Sequence, residues 1–516
     1  MPSSSASPTR TFPAGGGQGT PANQAPPEAL AYAPPGERFR RHLESLLEGL
    51  RSKGLNREES VAALFPHTLL PLETYEDTVA ALFSGAHTLF FGPSGSGKTN
   101  LAKELWGLFP KQVWVVDGCP VLDPPASLLD PHVAEEVPPC PTCVRRFSVD
   151  GTPEGFDPHR VDPGKVPVRR HSLREGFGFA RVQGSSEVFP DHLTGNLNLL
   201  RLEEVGDPMS PLVLEPGKLL QANQGMLMVD EIGKLPLGTQ NVLLQALQEG
   251  SVTPAKSRET FPAHFVAVCT SNLSDLDNIN DPLSDRLTSV HVEFNRVHRR
   301  NRRIVEMARP TPPEMYLPEI LLDSGVRVLE LWRERMSDEN PDVGEVGSNR
   351  TLIDVAFRTE AFARLRGHPV PTDQDLRAGL LHGMRGRIRA RSGDSFEQNS
   401  SLVQQFIDQN VEPALKRSAT LYWCRYFNEK LGGKAPEGEA LVSEGRRLVR
   451  DASLVQRVQS GEGLFPRFGA FAAWVGEREP RPSAVSPLTA ATEEFSLMDR
   501  FSLFQCESEG AEDERP

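Results

Sequence analysis

The sequence predicts an α/β fold in which helices cover a mostly parallel sheet, followed by regions that are entirely helical. Short apolar segments alternate with helical patterns in the first part of the chain, which is typical of a parallel sheet buried on both faces. After residue 296 helical periodicity dominates. The segments that predict strands are 87–91, 112–117, 225–230, 264–269 and 289–294.

Length and composition limit the classes of protein to which the chain can belong. A chain of 516 residues suggests two to four domains. The net charge of −13 argues against a protein that coats nucleic acid with its whole surface. No segment approaches the roughly 18 uninterrupted apolar residues of a membrane helix, and no secretory signal is visible. Six cysteines are too few for a disulfide scaffold, so we expect a cytoplasmic location.

Composition and periodicity divide the chain into successive regions. The first region is rich in proline, glycine and serine, which favours disorder. The last is acidic and contains one apolar cluster, which could dock on a partner or on the protein itself, or could simply cover the surface. The predicted regions are a disordered leader (1–37), an α/β domain (38–295), a helical domain (296–395), an additional helical region (396–475) and a largely disordered tail (476–516) with its apolar segment at 495–504.

The most specific motif predicts a phosphate-binding loop between a strand and a helix. It reads Gly92-Pro93-Ser94-Gly95-Ser96-Gly97-Lys98-Thr99 and fits the pattern G-x-x-x-x-G-K-[ST] at every required position. Glycines let backbone N–H groups point at a phosphate, and the start of the following helix adds a favourable dipole. We expect this loop, with Asn100, to bind ATP, Lys98 to contact its β- and γ-phosphates, and Thr99 to bind Mg²⁺. The alternative is an ordinary glycine-rich turn.

Two later strands are expected to bring catalytic side chains to the same edge of the sheet. The apolar run Met226–Val229 ends in Asp230 and Glu231. Asp230 would hold Mg²⁺, and Glu231 would orient and deprotonate the attacking water. The next strand ends in Asn272, which could reach the γ-phosphate and that water. An asparagine that caps a turn is the alternative at this position.

These motifs, followed by Leu283-Ser284-Asp285-Arg286-Leu287, have the order found in AAA+ ATPases. The runs 216–232 and 240–250 resemble most closely the MoxR and magnesium-chelatase group, and more distantly the minichromosome-maintenance helicases. The resemblance implies a three-layer P-loop AAA+ fold with a C-terminal helical lid domain. It also implies a homo-oligomeric ring, usually a hexamer, that hydrolyses ATP to remodel a protein client. In this group the partner subunit usually carries a von Willebrand A domain.

The resemblance also implies roles for two arginines. Arg286 falls at the family's arginine finger, which would reach the γ-phosphate bound by a neighbouring subunit. A local ion pair with Asp281 or Asp285 is the alternative. Arg350 matches the sensor-2 arginine, which contacts the γ-phosphate from the lid, although an arginine at a helix start is common.

Two further segments stand where this group has insertions. Residues 189–217 have the place of its helix-2 insert, and residues 251–262 that of the hairpin before the Asn272 strand. Lys256 and Arg258, near the tip of this hairpin, could face the pore of a ring. They could equally be solvated charges in a turn.

An insertion is expected at 118–181, where the family usually has only a short link between its second strand and the helix-2 insert. It contains Cys140-Pro141-Thr142-Cys143, which has the spacing of a zinc knuckle. Cys119 and His132 are the nearest candidates for the remaining ligands. A single C-x-x-C predicts a zinc site no more strongly than it predicts two free thiols in a loop.

Two other functions remain open on the sequence. One is a nucleic-acid motor of the related helicase clade, and the other is a nucleotide-gated scaffold that turns over slowly. The segment 296–303 contains five arginines that could contact phosphates. A solvated helix face or an interface is the favoured interpretation in an acidic chain, so nucleic acid is not the expected partner.

Overall fold

The computed structural model describes most of the chain up to residue 430. Its described residues are 19–430, except 153–154, 207–212, 255–256, 310–314, 340–346 and 388–394, together with Glu493, Ser496, Leu497, Arg500 and Phe501. The chain separates into two compact units. The first comprises Met1–Gly92 and Gly97–Glu293, and the second comprises Pro93–Ser96 and Phe294–Pro516. The finer division into five regions stays a prediction.

Strands and helices alternate through the first unit. In chain order they are β1 (Thr20–Pro21), α1 (Pro35–Ser52), α2 (Arg57–Ala63), α3 (Leu72–Phe83), β2 (His87–Gly92), α4 (Lys98–Leu108), β3 (Gln112–Val116), α5 (Ala126–Leu129), α6 (Pro131–Glu136), α7 (Pro141–Phe147), β4 (Pro167–Ser172), β5 (Arg174–Glu175), β6 (Gly178–Gln183), α8 (Pro190–Thr194), β7 (Gly195–Leu197), α9 (Leu199–Val205), β8 (Leu214–Pro216), α10 (Lys218–Gln221), β9 (Met226–Asp230), α11 (Leu237–Glu249), β10 (Ser251–Val252), β11 (Phe261–Pro262), β12 (Val266–Asn272), α12 (Asp281–Ser284) and β13 (Leu287–His291).

A parallel sheet in the order β13-β2-β12-β9-β6-β5 forms the centre of this unit. Side chains alternate between its two faces, as the pleat requires. Met226 and Met228 of β9 pack with residues of α1, α3 and α4, whereas Leu227 and Val229 pack with residues of α10 and α11. Helices therefore cover both faces, and the predicted three-layer α/β fold is confirmed.

One predicted strand belongs to a different sheet. Segment 112–117 was expected in the main sheet, but β3 pairs antiparallel with β4, and β4 pairs with β1. The apolar run of β3 reflects burial, which both sheets provide. The main sheet instead contains β6, whose polar Arg181 and Gln183 alternate with buried Ala180 and Val182. The expected insertion 118–181 is therefore wrong at its end, because residues 178–181 lie in β6.

The predicted disordered leader also requires correction. Residues 1–18 lie outside the described part of the chain, but the rest of the segment 1–37 is ordered. Thr20 pairs with Val168 of β4, and the N–H of Ala22 donates to the carbonyl of Val166 at 2.9 Å. In the described part, Pro21 and Pro26 immediately precede two short 3₁₀ helices, Ala22–Gln24 and Pro27–Ala29, so proline here accompanies regular turns.

The second unit is helical in its described residues. It contains α13 (His298–Ala308), α14 (Glu319–Glu339), α15 (Asn349–Arg366), α16 (Asp373–Met384) and α17 (Phe396–Lys430). One apolar core joins all five helices around Trp332 and Tyr316. Leu497, from the predicted docking segment 495–504, is fully buried in this core. Residues 431–475 of the predicted additional helical region, and most of the tail 476–516, lie outside the described residues.

The described helices include none with the length and apolar character that crossing a bilayer requires.

Candidate active site

The predicted phosphate-binding loop leaves the main sheet at the carboxyl end of β2. Gly92, the last residue of that strand, has a φ of 150°. A Cβ atom at this position would lie 2.3 Å from the carbonyl oxygen of Val292, so only glycine fits. Helix α4 begins at Lys98, directly after Gly97, which has no side chain to cap the first N–H groups. The start of a helix without a side-chain cap is a favourable place for an anion.

Lys98 and the ends of two neighbouring strands form one hydrogen-bonded chain. The buried Lys98 Nζ donates to the carbonyl of Gly92 at 2.8 Å and to Asn272 Oδ1 at 3.2 Å. Asn272 Nδ2 in turn donates to Glu231 Oε1 at 3.5 Å. Lys98, Glu231 and Asn272, which the sequence predicts to act together, therefore meet at the carboxyl edge of the sheet, although Lys98 and Asn272 are 174 positions apart in the chain.

Thr99 and Asp230, the predicted Mg²⁺ ligands, are in direct contact. Asp230 Oδ1 accepts hydrogen bonds from Thr99 Oγ1 at 2.9 Å and from Thr270 Oγ1 at 2.6 Å, and Oδ2 pairs with Arg181 at 2.8 Å. Burial raises the pKa of Asp230, but the hydrogen bonds from Thr270, Thr99 and Arg181 outweigh it and lower the pKa below its ordinary value. Asp230 is therefore a carboxylate at neutral pH, as a metal ligand must be.

Glu231 is held in an unusual backbone conformation. Its φ is 56°, in the left-handed region that costs a non-glycine residue about 1–3 kcal/mol. Its N–H donates to Thr270 Oγ1 at 3.0 Å, which fixes the turn. The carboxylate accepts from Gln183 Nε2 at 3.1 Å and pairs with Lys234 at 3.0 Å. The turn directs Glu231 away from the strand and towards the partly open edge where Asn272 lies.

Three residues of this site were missed by sequence reasoning. Arg181 and Gln183 lie on β6, a strand that was not predicted and whose residues 178–181 were taken for the end of the insertion. Thr270 precedes Asn272 by two residues and bridges Asp230 and Glu231 through one buried hydroxyl. The signal for β6 was its alternation of buried and polar residues, which is typical of a half-exposed strand.

Arg286 has the exposure that a residue acting on a neighbouring molecule needs. It lies two residues after the end of α12, beyond Asp285, and its side chain is exposed. Within the described residues it forms no ion pair with Asp281 or Asp285, the alternative that the sequence left open. Its role as an arginine finger stays a prediction.

Arg350 lies at the start of α15 in the second unit, which also contains loop residues 93–96. The N–H of its neighbour Asn349 donates to the carbonyl of Gly95 at 3.3 Å. A Cβ atom at Gly95, whose φ is 73°, would lie 2.5 Å from the Cβ of Ser348. The start of this helix therefore contacts the loop closely. The sensor role of Arg350 stays a prediction.

Both expected insertion segments contain short antiparallel hairpins. In 189–217, β7 pairs with β8, and in 251–262, β10 pairs with β11. Arg258 is exposed near the tip of the second hairpin, and Lys256 lies outside the described residues. At the base of this hairpin tip, Glu259 forms an ion pair with Arg145 of α7.

A buried cluster of possible metal ligands lies in the insertion, but its members differ from those predicted. Cys119, Cys140 and Cys143 are joined by Asp123. The fourth predicted ligand, His132, is exposed on α6 and is not part of the cluster. Asp123 joins the cluster because Leu122, at a φ of 63°, forms a turn that directs Asp123 back towards Cys119. Burial raises the pKa of Asp123 well above its ordinary value.

Two of the five arginines in segment 296–303 form ion pairs within the second unit. Arg302 pairs with Glu306, Glu319 and Asp323. Arg303 also contacts Glu306, at 3.3 Å. These ion pairs neutralise part of the positive charge of the segment, which favours a solvated helix face over a nucleic-acid surface.

The chain is similar to known proteins over a limited stretch. Residues 213–287, which include Asp230, Glu231, Asn272 and Arg286, match the family described as the Sigma-54 interaction domain. The chain is 32% identical over 84 residues to an archaeal Lon protease of Halobacterium salinarum, and 33% identical over 81 residues to that of Methanocaldococcus jannaschii. Each match covers 14% of this chain and 12% of the relative, so the chain spans only a small part of these proteins.

Among solved structures, the chain is similar to one titled as a complex between subunits BchI and BchD of magnesium chelatase. The identity is 22%, with 62% of this chain and 95% of that chain covered and a TM-score of 0.29.

Four features of the first unit together define the nucleotide-binding unit. They are the loop before α4, the acidic end of β9, the polar end of β12 and the strand order β13-β2-β12-β9-β6. The chain has the AAA+ P-loop fold, with a helical unit that follows it.

Proposed function

We propose that the chain is an AAA+ ATPase of the MoxR and magnesium-chelatase-like group, which hydrolyses Mg²⁺-ATP to remodel a protein client. The observation that carries this proposal is the contact network of Lys98, Asn272 and Glu231 beside the pair of Thr99 and Asp230. Each of these side chains has the chemistry of one step in phosphoryl transfer.

The proposed reaction is attack of water on the γ-phosphorus of ATP. Glu231 accepts a proton from this water as the new P–O bond forms, and the bond to the bridging oxygen of ADP breaks. Asn272, which contacts both Glu231 and Lys98, positions the water and the γ-phosphate. Lys98 neutralises charge on the β- and γ-phosphates, and Thr99 and Asp230 would hold Mg²⁺, which would further stabilise that charge.

The proposed assembly is a homo-oligomeric ring, with six subunits as the expected number. Exposed Arg286 would complete the site of a neighbouring subunit, because a guanidinium matches the charge of the transferring phosphoryl group. The hairpin segments 189–217 and 251–262 would contact the client, for which a subunit with a von Willebrand A domain is one candidate.

The test compares ATP turnover of two matched variants. Glu231→Gln removes the proposed base and should lower kcat about 100- to 1,000-fold while ATP binding is retained. Glu249→Gln, an exposed residue at the end of α11, should leave kcat unchanged. Turnover of Glu231→Gln at the parent rate would refute the proposed base. Slow turnover by the parent chain itself would favour the nucleotide-gated scaffold.

The client can be sought with the same variant. Because Glu231→Gln should hold ATP without hydrolysing it, the assembled form should retain bound proteins during affinity purification. Stimulation of the parent ATPase by nucleic acid with a steep salt dependence would instead support the helicase-like alternative.

A further inference from the structure

Four side chains from two separated segments converge in the insertion. The ligand atoms of Cys119, Asp123, Cys140 and Cys143 all lie within 4.8 Å of one another, and all four residues are buried. Cys119 Sγ and Cys140 Sγ are 3.7 Å apart. Two sulfur ligands of one tetrahedral zinc ion are about 3.75 Å apart, since each Zn–S bond is about 2.3 Å. The same separation is too long for a disulfide, whose sulfurs are about 2.05 Å apart.

The environment of Asp123 independently points to a bound cation. It is 0% exposed, and its Oδ2 accepts a hydrogen bond from the N–H of Cys140 at 2.8 Å. Its Oδ1 is also buried and has no hydrogen-bond partner among the described residues. A buried polar group without a partner destabilises the folded protein, and more strongly when it is charged. A cation between this oxygen and the three sulfurs would remove that destabilisation.

The backbone around the cluster is arranged to hold negative ligands. The N–H of Asp123 donates to Cys119 Sγ at 3.1 Å. Cys140 directly precedes α7, and Cys143 lies in its first turn, so the two sulfurs project from the same end of one helix. The left-handed turn at Leu122 brings Asp123 back onto Cys119. Both segments thus present their ligands to one point.

We propose that Cys119, Asp123, Cys140 and Cys143 bind one zinc ion in a closed structural site. Thiolates select a borderline-soft metal such as Zn²⁺ over Mg²⁺ or Ca²⁺, which prefer oxygen ligands. Four protein ligands leave no open position, which is the arrangement of structural rather than catalytic zinc. The close spacing of the ligand atoms fits a single ion and is too compact for a polynuclear iron–sulfur cluster.

The ion would join two parts of the insertion that share little regular structure. Cys119 follows β3, and Cys140 precedes α7, with only the short helices α5 and α6 between them. Arg145 of α7 pairs with Glu259 of the hairpin segment 251–262. Zinc therefore fixes the helix against which this hairpin is anchored.

The first experiment measures the metal in the full-length protein as purified, without added metal. Elemental analysis should find one zinc per chain, and X-ray absorption should find three sulfur neighbours at about 2.3 Å and one oxygen at about 2.0–2.2 Å. Absence of zinc, iron with acid-labile sulfide, or a disulfide between Cys119 and Cys140 would each overturn the proposal.

Matched variants then identify the ligands. Cys143→Ser should lose at least half of the bound zinc, whereas His132→Ala, at the exposed position that the sequence favoured, should keep all of it. Since Cys143→Ser could also prevent folding, Asp123→Cys provides a second test in a folded protein. It should retain one zinc and convert the shell to four sulfurs. An unchanged shell of three sulfurs and one light atom would show that Asp123 is not a ligand.

Discussion

The candidate nucleotide site and the cysteine cluster lie in the same unit, but their polar side chains differ in how they find hydrogen-bond partners. Around Lys98 and Asp230 the side chains bond to one another, and Glu231 remains partly exposed at the edge of the sheet. The cysteine cluster is buried, and Asp123 Oδ1 has no hydrogen-bond partner in the described part of the chain. The first arrangement satisfies its polar side chains within the protein, whereas the second would be completed by the proposed ion.

The largest expected effect is a loss of ATP binding that leaves the cysteine cluster unchanged. Lys98→Ala should weaken ATP binding at least about 100-fold, or about 2.7 kcal/mol, because a buried charge that contacts the phosphates is lost. Its zinc content should not change. Calorimetric titration with ATP and elemental analysis on the same sample measure both. Lys103→Ala, an exposed lysine on the same helix, is the control and should bind ATP like the parent.

A mixing experiment tests whether the nucleotide site is completed by a second copy of the chain. Arg286→Ala and Glu231→Gln should each be nearly inactive alone. When mixed, some interfaces combine an intact Glu231 with an intact Arg286, so a fraction of the parent ATPase rate should return. No recovery at any mixing ratio would count against Arg286 acting on a neighbouring subunit.

A smaller effect is expected from the hydroxyl that joins Asp230 to Glu231. Thr270→Val removes the hydrogen bonds at 2.6 Å and 3.0 Å with almost no change in volume. The Mg²⁺ concentration needed for half-maximal ATPase activity should rise about tenfold, in line with about 1.5 kcal/mol for a hydrogen bond to a charged group. Thr270→Ser keeps the hydroxyl and should restore the parent value. Equal behaviour of the two variants would show that the hydroxyl does not orient Asp230.

Removal of zinc should have the smallest effect on nucleotide binding. Chelation should increase amide hydrogen exchange in residues 119–147, because the ion is the main link between the two ends of this segment. Strands β9 and β12 should keep their protection, and the Kd for ATP should change less than about twofold. Loss of protection in β9 would mean that the cluster supports the main sheet, and the two regions would no longer be independent.

Sequence reasoning located the parts of the candidate site that have a fixed local spacing, while the roles of these residues in binding and catalysis stay predictions. The loop 92–99 and the acidic end of β9 could be predicted because phosphate and Mg²⁺ demand those residue types in that order. Arg181 and Gln183 were missed because a half-exposed strand lacks the continuous apolar run that marks its neighbours. Segment 112–117 has such a run but lies in another sheet, since apolar residues indicate burial and not the pairing partner.

The cysteine cluster shows a second limit of prediction from the sequence. Two cysteines could be recognised from their C-x-x-C spacing, but the fourth ligand depends on a turn at Leu122 that no local pattern demands. His132 was favoured by its residue type and its proximity in sequence, yet it faces solvent on α6. A carboxylate such as Asp123 is too common in the chain to be singled out without the fold.

The most direct test of the nucleotide site is a crystal structure with Mn²⁺ in place of Mg²⁺ and a non-hydrolysable ATP analogue. The anomalous signal of Mn²⁺ should give one peak next to Thr99 Oγ1 and the Asp230 carboxylate, with the phosphates against Lys98 and the start of α4. A Mn²⁺ peak or a triphosphate located elsewhere, or no bound nucleotide at saturating concentration, would contradict the account.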